Sequence, residues 1–246
     1  MKMQVPQYKF YATLLDKFED YINSSRIYNE YYGFLEDPKI TEDEFEKQKF
    51  QDLINSINRV PFESEAADKG TAFNEVIDCI IENKNSEKYV VTSHKEDGII
   101  NVKNDKYSFD FPLKLSVEMS KSVRGALTQQ FVEGILGTKY GDVLLYGYID
   151  EMLPFKVVDI KTTSRYNAFK YRHNWQHIVY PFCLNQNNIL IDEFEYLITD
   201  FKSIYSEIYL YNKEKDIKKL QNHCEKFIEF LEQNKELITD TKIFGN

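Results

Sequence analysis

Two short apolar stretches carry acids at spacings that allow chemistry. The first is Gly147-Tyr148-Ile149-Asp150, and the second is Val157-Val158-Asp159-Ile160-Lys161. Both read as β-strands, over 143–150 and 155–161. Side chains on a strand alternate, so Asp159 and Lys161 project from one face and Ile160 from the other. Asp150 ends the preceding strand, and the two strands are close enough in sequence for the acids to share one sheet face. Two carboxylates there would bind a hard divalent cation, Mg²⁺ or Mn²⁺, through oxygen. Lys161 would position a water and help deprotonate it, or stabilise charge developing on a phosphate. That is the chemistry of metal-assisted phosphodiester hydrolysis. An isolated acid-x-Lys is also an ordinary surface pair. Here Val157, Val158 and Ile160 flank it, and a buried charge needs a reason.

Gly-x-Ile-Asp, then Asp-Ile-Lys-Thr-Thr nine residues on, then Gln176-x-x-x-Tyr180 in a following helix, resembles the PD-(D/E)XK nuclease superfamily. The branch it is most similar to is the RecB-like group, phage-type exonucleases included. The resemblance covers about residues 64–200, with its strong motifs in 147–180. It implies that Asp150 and Asp159 hold the metal, that the Ile160 carbonyl adds a ligand, and that Lys161 is the catalytic lysine. It also implies that Gln176 and Tyr180, on one helix face at i, i+4, help hold the DNA strand. The family adds an upstream acid, for which the candidates are Glu75 and Glu133. Glu133 is preferred, because a hairpin register sets it opposite the Asp150 region. RecB-like members often carry a histidine ligand on the upstream helix, after Gly-x-x-x. Here Gly70-Thr-Ala-Phe is followed by Asn74, an uncharged and weaker oxygen ligand. The implied function is a DNA exonuclease for recombination, repair or phage DNA processing. The alternative is a catalytically weak or inactive nucleic-acid-binding or protein-interaction module on the same fold.

The segment 161–177 contains Lys161, Arg165, Lys170 and Arg172 and no acid, with Tyr166, Phe169, Tyr171 and Trp175 between them. Cations interleaved with aromatic faces suit phosphates and stacked bases at a DNA end or single strand. The same aromatics could equally be core. Lys121 and Arg124 are expected to extend this basic surface. Overall the chain is acidic, with 31 Lys+Arg against 40 Asp+Glu and a net charge of −9. This argues against a DNA-coating protein and for contact confined to one basic face. A homo-oligomer or a recombination protein remains an open partner expectation.

The elements that must position these residues are legible at a coarse level. The 246 residues, 42% hydrophobic, suffice for one domain with a sizeable core. The expected fold is α/β, a central mixed sheet flanked by helices (a restriction-endonuclease-like core). It divides into an N-terminal helical extension over 1–63, a core over 64–211 and a C-terminal helix over 212–246. Helices are expected from Phe10 to Ile22, from Thr41 with its capping box to Glu44, over 64–83, over 174–184 and over 213–237. Short strands are expected at 89–92, 98–102 and 107–111, then at 130–137, 193–199 and 206–211. Residues 113–127 fit both periods, and the helix is favoured. Cys79, Cys183 and Cys224 form no metal or disulfide spacing, so three free thiols in a reducing cytosol are expected. His173 and His177, at i, i+4, lack a third ligand nearby. No P-loop and no nucleophile elbow is present. No run is long and apolar enough to span a membrane, and the first ten residues lack a signal-peptide core.

Overall fold

The computed structural model describes residues 6–245; the first five residues and Asn246 lie outside them. The chain runs β1 (Tyr8–Tyr11), α1 (Ala12–Ile22), α2 (Ser24–Tyr31), α3 (Glu42–Ile57) and α4 (Glu65–Glu82). Then follow β2 (Val90–His94), β3 (Ile99–Lys103), β4 (Ser108–Pro112), α5 (Leu113–Ser122), β5 (Leu127–Thr138), β6 (Gly141–Leu153) and β7 (Lys156–Thr162). It ends with α6 (Gln176–Gln186), β8 (Glu193–Thr199), β9 (Ile204–Leu210), α7 (Lys213–Gln233) and two short 3₁₀ turns.

The fold is α/β, with a mixed six-stranded sheet in the order β1-β6-β7-β8-β9 and β5 also paired to β6. A separate antiparallel sheet holds β2, β3 and β4. The large sheet divides two cores. Val157, Phe194, Tyr196 and Ile198 pack with α1, α3, α6 and α7 on one side. Val158, Ile160 and Leu197 pack with α4, α5 and the small sheet on the other. The middle of β7, Val157 to Ile160, is therefore buried on both faces, Asp159 included. Burial of this apolar surface on both sides is what holds the sheet's central strands rigid beneath the acids.

Local signals act as expected in several places. Thr41 and Glu44 form both halves of the capping box that starts α3. The Ser64 hydroxyl accepts the Ala67 N–H at the start of α4, and Asn83 closes that helix in the left-handed region. The ambiguity at 113–127 resolves as α5, with Leu115, Met119 and Val123 buried at helical spacing before β5 begins at Leu127. All three cysteines are free and buried.

The N-terminal region departs from expectation. Residues 8–11 form a strand, not the start of a helix, and pair parallel with Val143–Tyr146 of β6. This region is part of the main sheet and its core, not an extension beside it. Phe10 is fully buried and packs on Phe227 of α7 at 4.8 Å between ring centroids.

Candidate functional site

A fork in the sheet creates the site. β5 pairs along one edge of β6 from Gly141 to Met152. The other edge is shared: β1 covers it as far as Tyr146, and β7 covers it from Glu151 onward. Gly147 to Asp150 lie along the opening between them. The Asp150 carboxylate fills this opening, its Oδ2 accepting the Ile160 N–H at 3.0 Å and the Asn74 Nδ2 of α4 at 3.2 Å. A side chain thus takes a backbone donor that a continued β6–β7 ladder would have used.

The alternation of β6 does not carry through the fork. Ile149 belongs to the α6-side core. Glu151, two residues on, lies across from Val158, which belongs to the α4-side core. The change occurs at Asp150 and its cross-strand neighbour Gln129. Thr128 pairs with Glu151 and Gln130 with Ile149, but Gln129 takes φ 50° and leaves the ladder. A local kink of this kind re-aims side chains, as β-bulges do beside active sites. Asp150 consequently reaches both layers.

On the α6 side the charged groups form a closed ring. Asp159 is 2% exposed. Its Oδ1 accepts Gln176 Nε2 at 2.6 Å, and its Oδ2 lies 2.7 Å from Lys161 Nζ. Lys161 Nζ also donates to Gln176 Oε1 at 2.8 Å. Gln176 Nε2 makes a longer contact of 3.4 Å to the Tyr180 hydroxyl. Tyr180 comes so close to β6 that a Cβ at Gly147 would sit 2.7 Å from its ring, so only glycine fits there. Gly70, the start of the Gly-x-x-x-Asn74 run, lies under Thr162, whose Oγ1 would be 3.0 Å from an added Cβ.

Burial raises the Asp150 carboxyl to about 7, with the Asp159 charge adding to the rise and Lys161 and the Ile160 N–H opposing it. Desolvation works to lower the Lys161 ammonium, yet the charges of Asp159 and Asp150 outweigh it and the net direction is upward. Lys161 therefore remains a cation at neutral pH.

Sequence reasoning missed two acids. Asp16 of α1 accepts the Trp175 N–H at 2.5 Å, just before α6. Burial raises it to about 7, and the charges of both Lys161 and Asp159 act on it. A signal existed: Asp16 follows buried Ala12 by one helical turn, on the same helix face. Glu151 is the other. Its burial depends on the kink, which no period in the sequence announces.

The other expected site residues lie elsewhere. Glu133 is exposed on β5 and pairs with Tyr146, because the two-residue loop Lys139-Tyr140 sets the register. The residue across from Asp150 is Gln129, four positions and roughly 13 Å along the strand from Glu133. Glu75 is turned to Lys88, at 3.5 Å, whereas Asn74 joins the site. Arg165, Lys170 and Arg172 are exposed. Lys170 bonds Thr163 Oγ1 and the Arg165 carbonyl, and Arg172 bonds His173. Of the aromatics between them only Phe169 stands out in solvent, in the left-handed region. Tyr166 stacks on Tyr205, Tyr171 on Tyr196, and Trp175 on His223 at 3.9 Å. Most of the expected stacking platform is thus core. Lys121 and Arg124 are exposed at the end of α5, in the α4 layer. They do not extend the 161–177 segment. His177 is buried, its Nδ1 3.3 Å from the Tyr196 hydroxyl, and shares no ligand geometry with exposed His173.

Among the described residues no group of three or more His, Cys, Asp or Glu side chains is disposed to hold a metal ion. The fork carries two carboxylates, Asp150 and Asp159, and the expected third ligand would be the Ile160 carbonyl. All are oxygens, which suits Mg²⁺ or Mn²⁺. Asp159 Oδ2 is buried against the Lys161 ammonium, 2.7 Å away. Lys161 and Gln176 also occupy Asp159, so a cation would share this carboxylate with them.

No family model matches the chain, and no curated protein matches it. Among solved structures, the crystal structure of SSO0001 is similar at 10% identity over 91% of this chain and 77% of that one, with a TM-score of 0.42. That likeness is too distant to carry an argument about the site.

Proposed function

We propose that this protein is a Mg²⁺- or Mn²⁺-dependent deoxyribonuclease of the PD-(D/E)XK type, RecB-like, acting on DNA ends as an exonuclease. The observation that carries this reading is the ring that partly buried Lys161 forms with buried Asp159 and Gln176 beside Asp150 at the fork. A lysine ammonium fixed between a carboxylate and an amide, next to a second carboxylate, is costly to build for stability alone. The bound cation would supply Lewis-acid polarisation of the scissile phosphate. Lys161, kept charged, orients the attacking water and stabilises negative charge on the phosphate, so it is not the general base at neutral pH. Gln176 holds Lys161 and Asp159 at once and is a positioning residue. Tyr180 backs Gln176 from one turn away. The exposed cations Arg165, Lys170 and Arg172 follow β7 directly and offer the phosphate contacts.

The test is digestion of end-labelled linear DNA and covalently closed circular DNA with Mn²⁺. Wild type degrades the linear form and spares the circle, and Lys161→Ala or Asp159→Asn lowers the rate by about 10²-fold or more. Intact linear DNA with wild type, under both Mg²⁺ and Mn²⁺, overturns the reading. Salt-dependent DNA binding without cleavage would instead support the non-catalytic module, which the replacement of a histidine ligand by Asn74 favours.

A further inference from the structure

The α4 side of the fork holds oxygens that the proposed hydrolysis does not use. Glu151 is fully buried, 0% exposed, and neither of its carboxylate oxygens has a hydrogen-bond donor. Asp78 of α4, 4% exposed, lies beside it, and burial together with the Asp78 charge pushes the Glu151 carboxyl up to about 9. Asp78 Oδ2 accepts Gln129 Nε2 at 3.2 Å, while Oδ1 has no donor. One turn earlier on the same helix face, Asn74 leaves its Oδ1 without a partner. The nearby lysines are engaged elsewhere, Lys88 with Glu75 and Lys84 with Glu82. Four buried oxygens, on one face of α4 and on β6, thus have no cation among the nearby side chains to meet them.

Such an arrangement needs a positive charge or a proton. A single shared proton makes one O–H···O bond and leaves the other oxygens bare. A hard divalent cation takes several oxygens at once, carboxylate and amide together. Gln129, exposed at the β5 kink, bonds Asp78, and its neighbour Thr128 bonds Glu82. We propose that Asp78 and Glu151, with the Asn74 amide oxygen, form a second divalent-cation site, separate from the Asp150–Asp159 pair. Its ligand class is Mg²⁺, Mn²⁺ or Ca²⁺. A cation there ties α4 to β6 directly beside Asp150 and so fixes the fork. The inference goes beyond the nuclease reading and uses none of its steps.

Mn²⁺ binding to metal-stripped protein, counted by calorimetry and by the loss of the free-ion electron paramagnetic signal, tests it without DNA. Wild type binds two ions per chain. Glu151→Gln and Asp78→Asn each bind one, Asp159→Asn binds one, and Asp159→Asn/Glu151→Gln binds none. A stoichiometry that Glu151→Gln and Asp78→Asn leave unchanged overturns the proposal, as does a more stable Glu151→Gln that binds as many ions as wild type, the mark of a shared proton. Should both α4-side variants fail to fold, a wild type that binds a single ion removed by Asp159→Asn also overturns it, and two ions with one surviving Asp159→Asn uphold it. Failure of the nuclease reading is distinguishable: Asp159→Asn would then cost no ion, while Glu151→Gln still would.

Discussion

The two sides of the fork solve the problem of buried charge differently. On the α6 side, Asp159 has a lysine and an amide as fixed partners, and each member of the ring answers another. On the α4 side, Asp78 and Glu151 face one another with one amide donor between them and three carboxylate oxygens unanswered. The first arrangement sets a cationic side chain against its buried acid. The second has none, although Asp150 and Glu151 are neighbours on one strand.

Substitutions that remove one charge from each side should therefore act in opposite directions. Lys161→Met leaves Asp159 and Asp150 without their cation and should cost about 3–5 kcal/mol of unfolding free energy in urea. Without divalent ions, Glu151→Gln should raise stability by about 1–3 kcal/mol, because burial holds the Glu151 carboxyl up at about 9, a cost that the neutral amide avoids while it donates to Asp78. Equal losses from both variants would erase the contrast. Gly147→Ala probes the packing of the closed side. Its methyl drives Tyr180 away from Gln176, and a cost of about 1–3 kcal/mol is expected, read from the denaturation midpoint.

A pH experiment sharpens the same comparison. His223 stacks on Trp175, whose N–H caps Asp16, and burial lowers the imidazole to about 3, with the charges of Lys219 and Lys226 adding and the Leu15 carbonyl opposing. Glu19, 3.4 Å from Nδ1, does not reverse this. The unfolded chain takes up a proton below about 6.5 and the folded chain does not, so this group's stability is lost as pH falls. The slope is up to about 1.4 kcal/mol per pH unit. Asp16 and Asp150, both raised to about 7, act in the opposite sense: their contribution is present at low pH and lost as pH rises through 7. The difference between wild type and His223→Gln isolates the histidine, and a flat difference between pH 7 and 5 refutes its assignment. The smallest effect is expected at the surface. Arg165→Ala and Arg172→Ala should each weaken DNA binding several-fold and lower its salt slope by about one. Fluorescence anisotropy at several salt concentrations measures this.

The face-sharing of Asp159 and Lys161 was legible because it depends on a period of two. That Gln176 and Tyr180 share a helix face was legible because they lie four apart, but both are buried among protein side chains and not on a DNA-facing surface as expected. Ile160 was rightly placed opposite Asp159 by the same alternation, and is 4% exposed in the α4-side core. Glu133 was misplaced because a hairpin register depends on which two residues turn, and one candidate turn differs from another by a whole face. The basic, aromatic segment misled in a different way. Composition cannot separate a ring that stacks on DNA from one that stacks on Tyr205 or His223.

What the sequence determined by itself was local: amphipathic helices, caps, the strands around the acids and the side on which each adjacent pair points. These follow from backbone geometry within a few residues. Tertiary structure decided the rest. It set β1 against β6, more than 130 positions away, brought Asp16 to the site, opened the fork at Asp150 and turned Glu151 into the opposite layer. Such long-range placements are chosen by the burial of whole faces, and no stretch of sequence carries that choice alone.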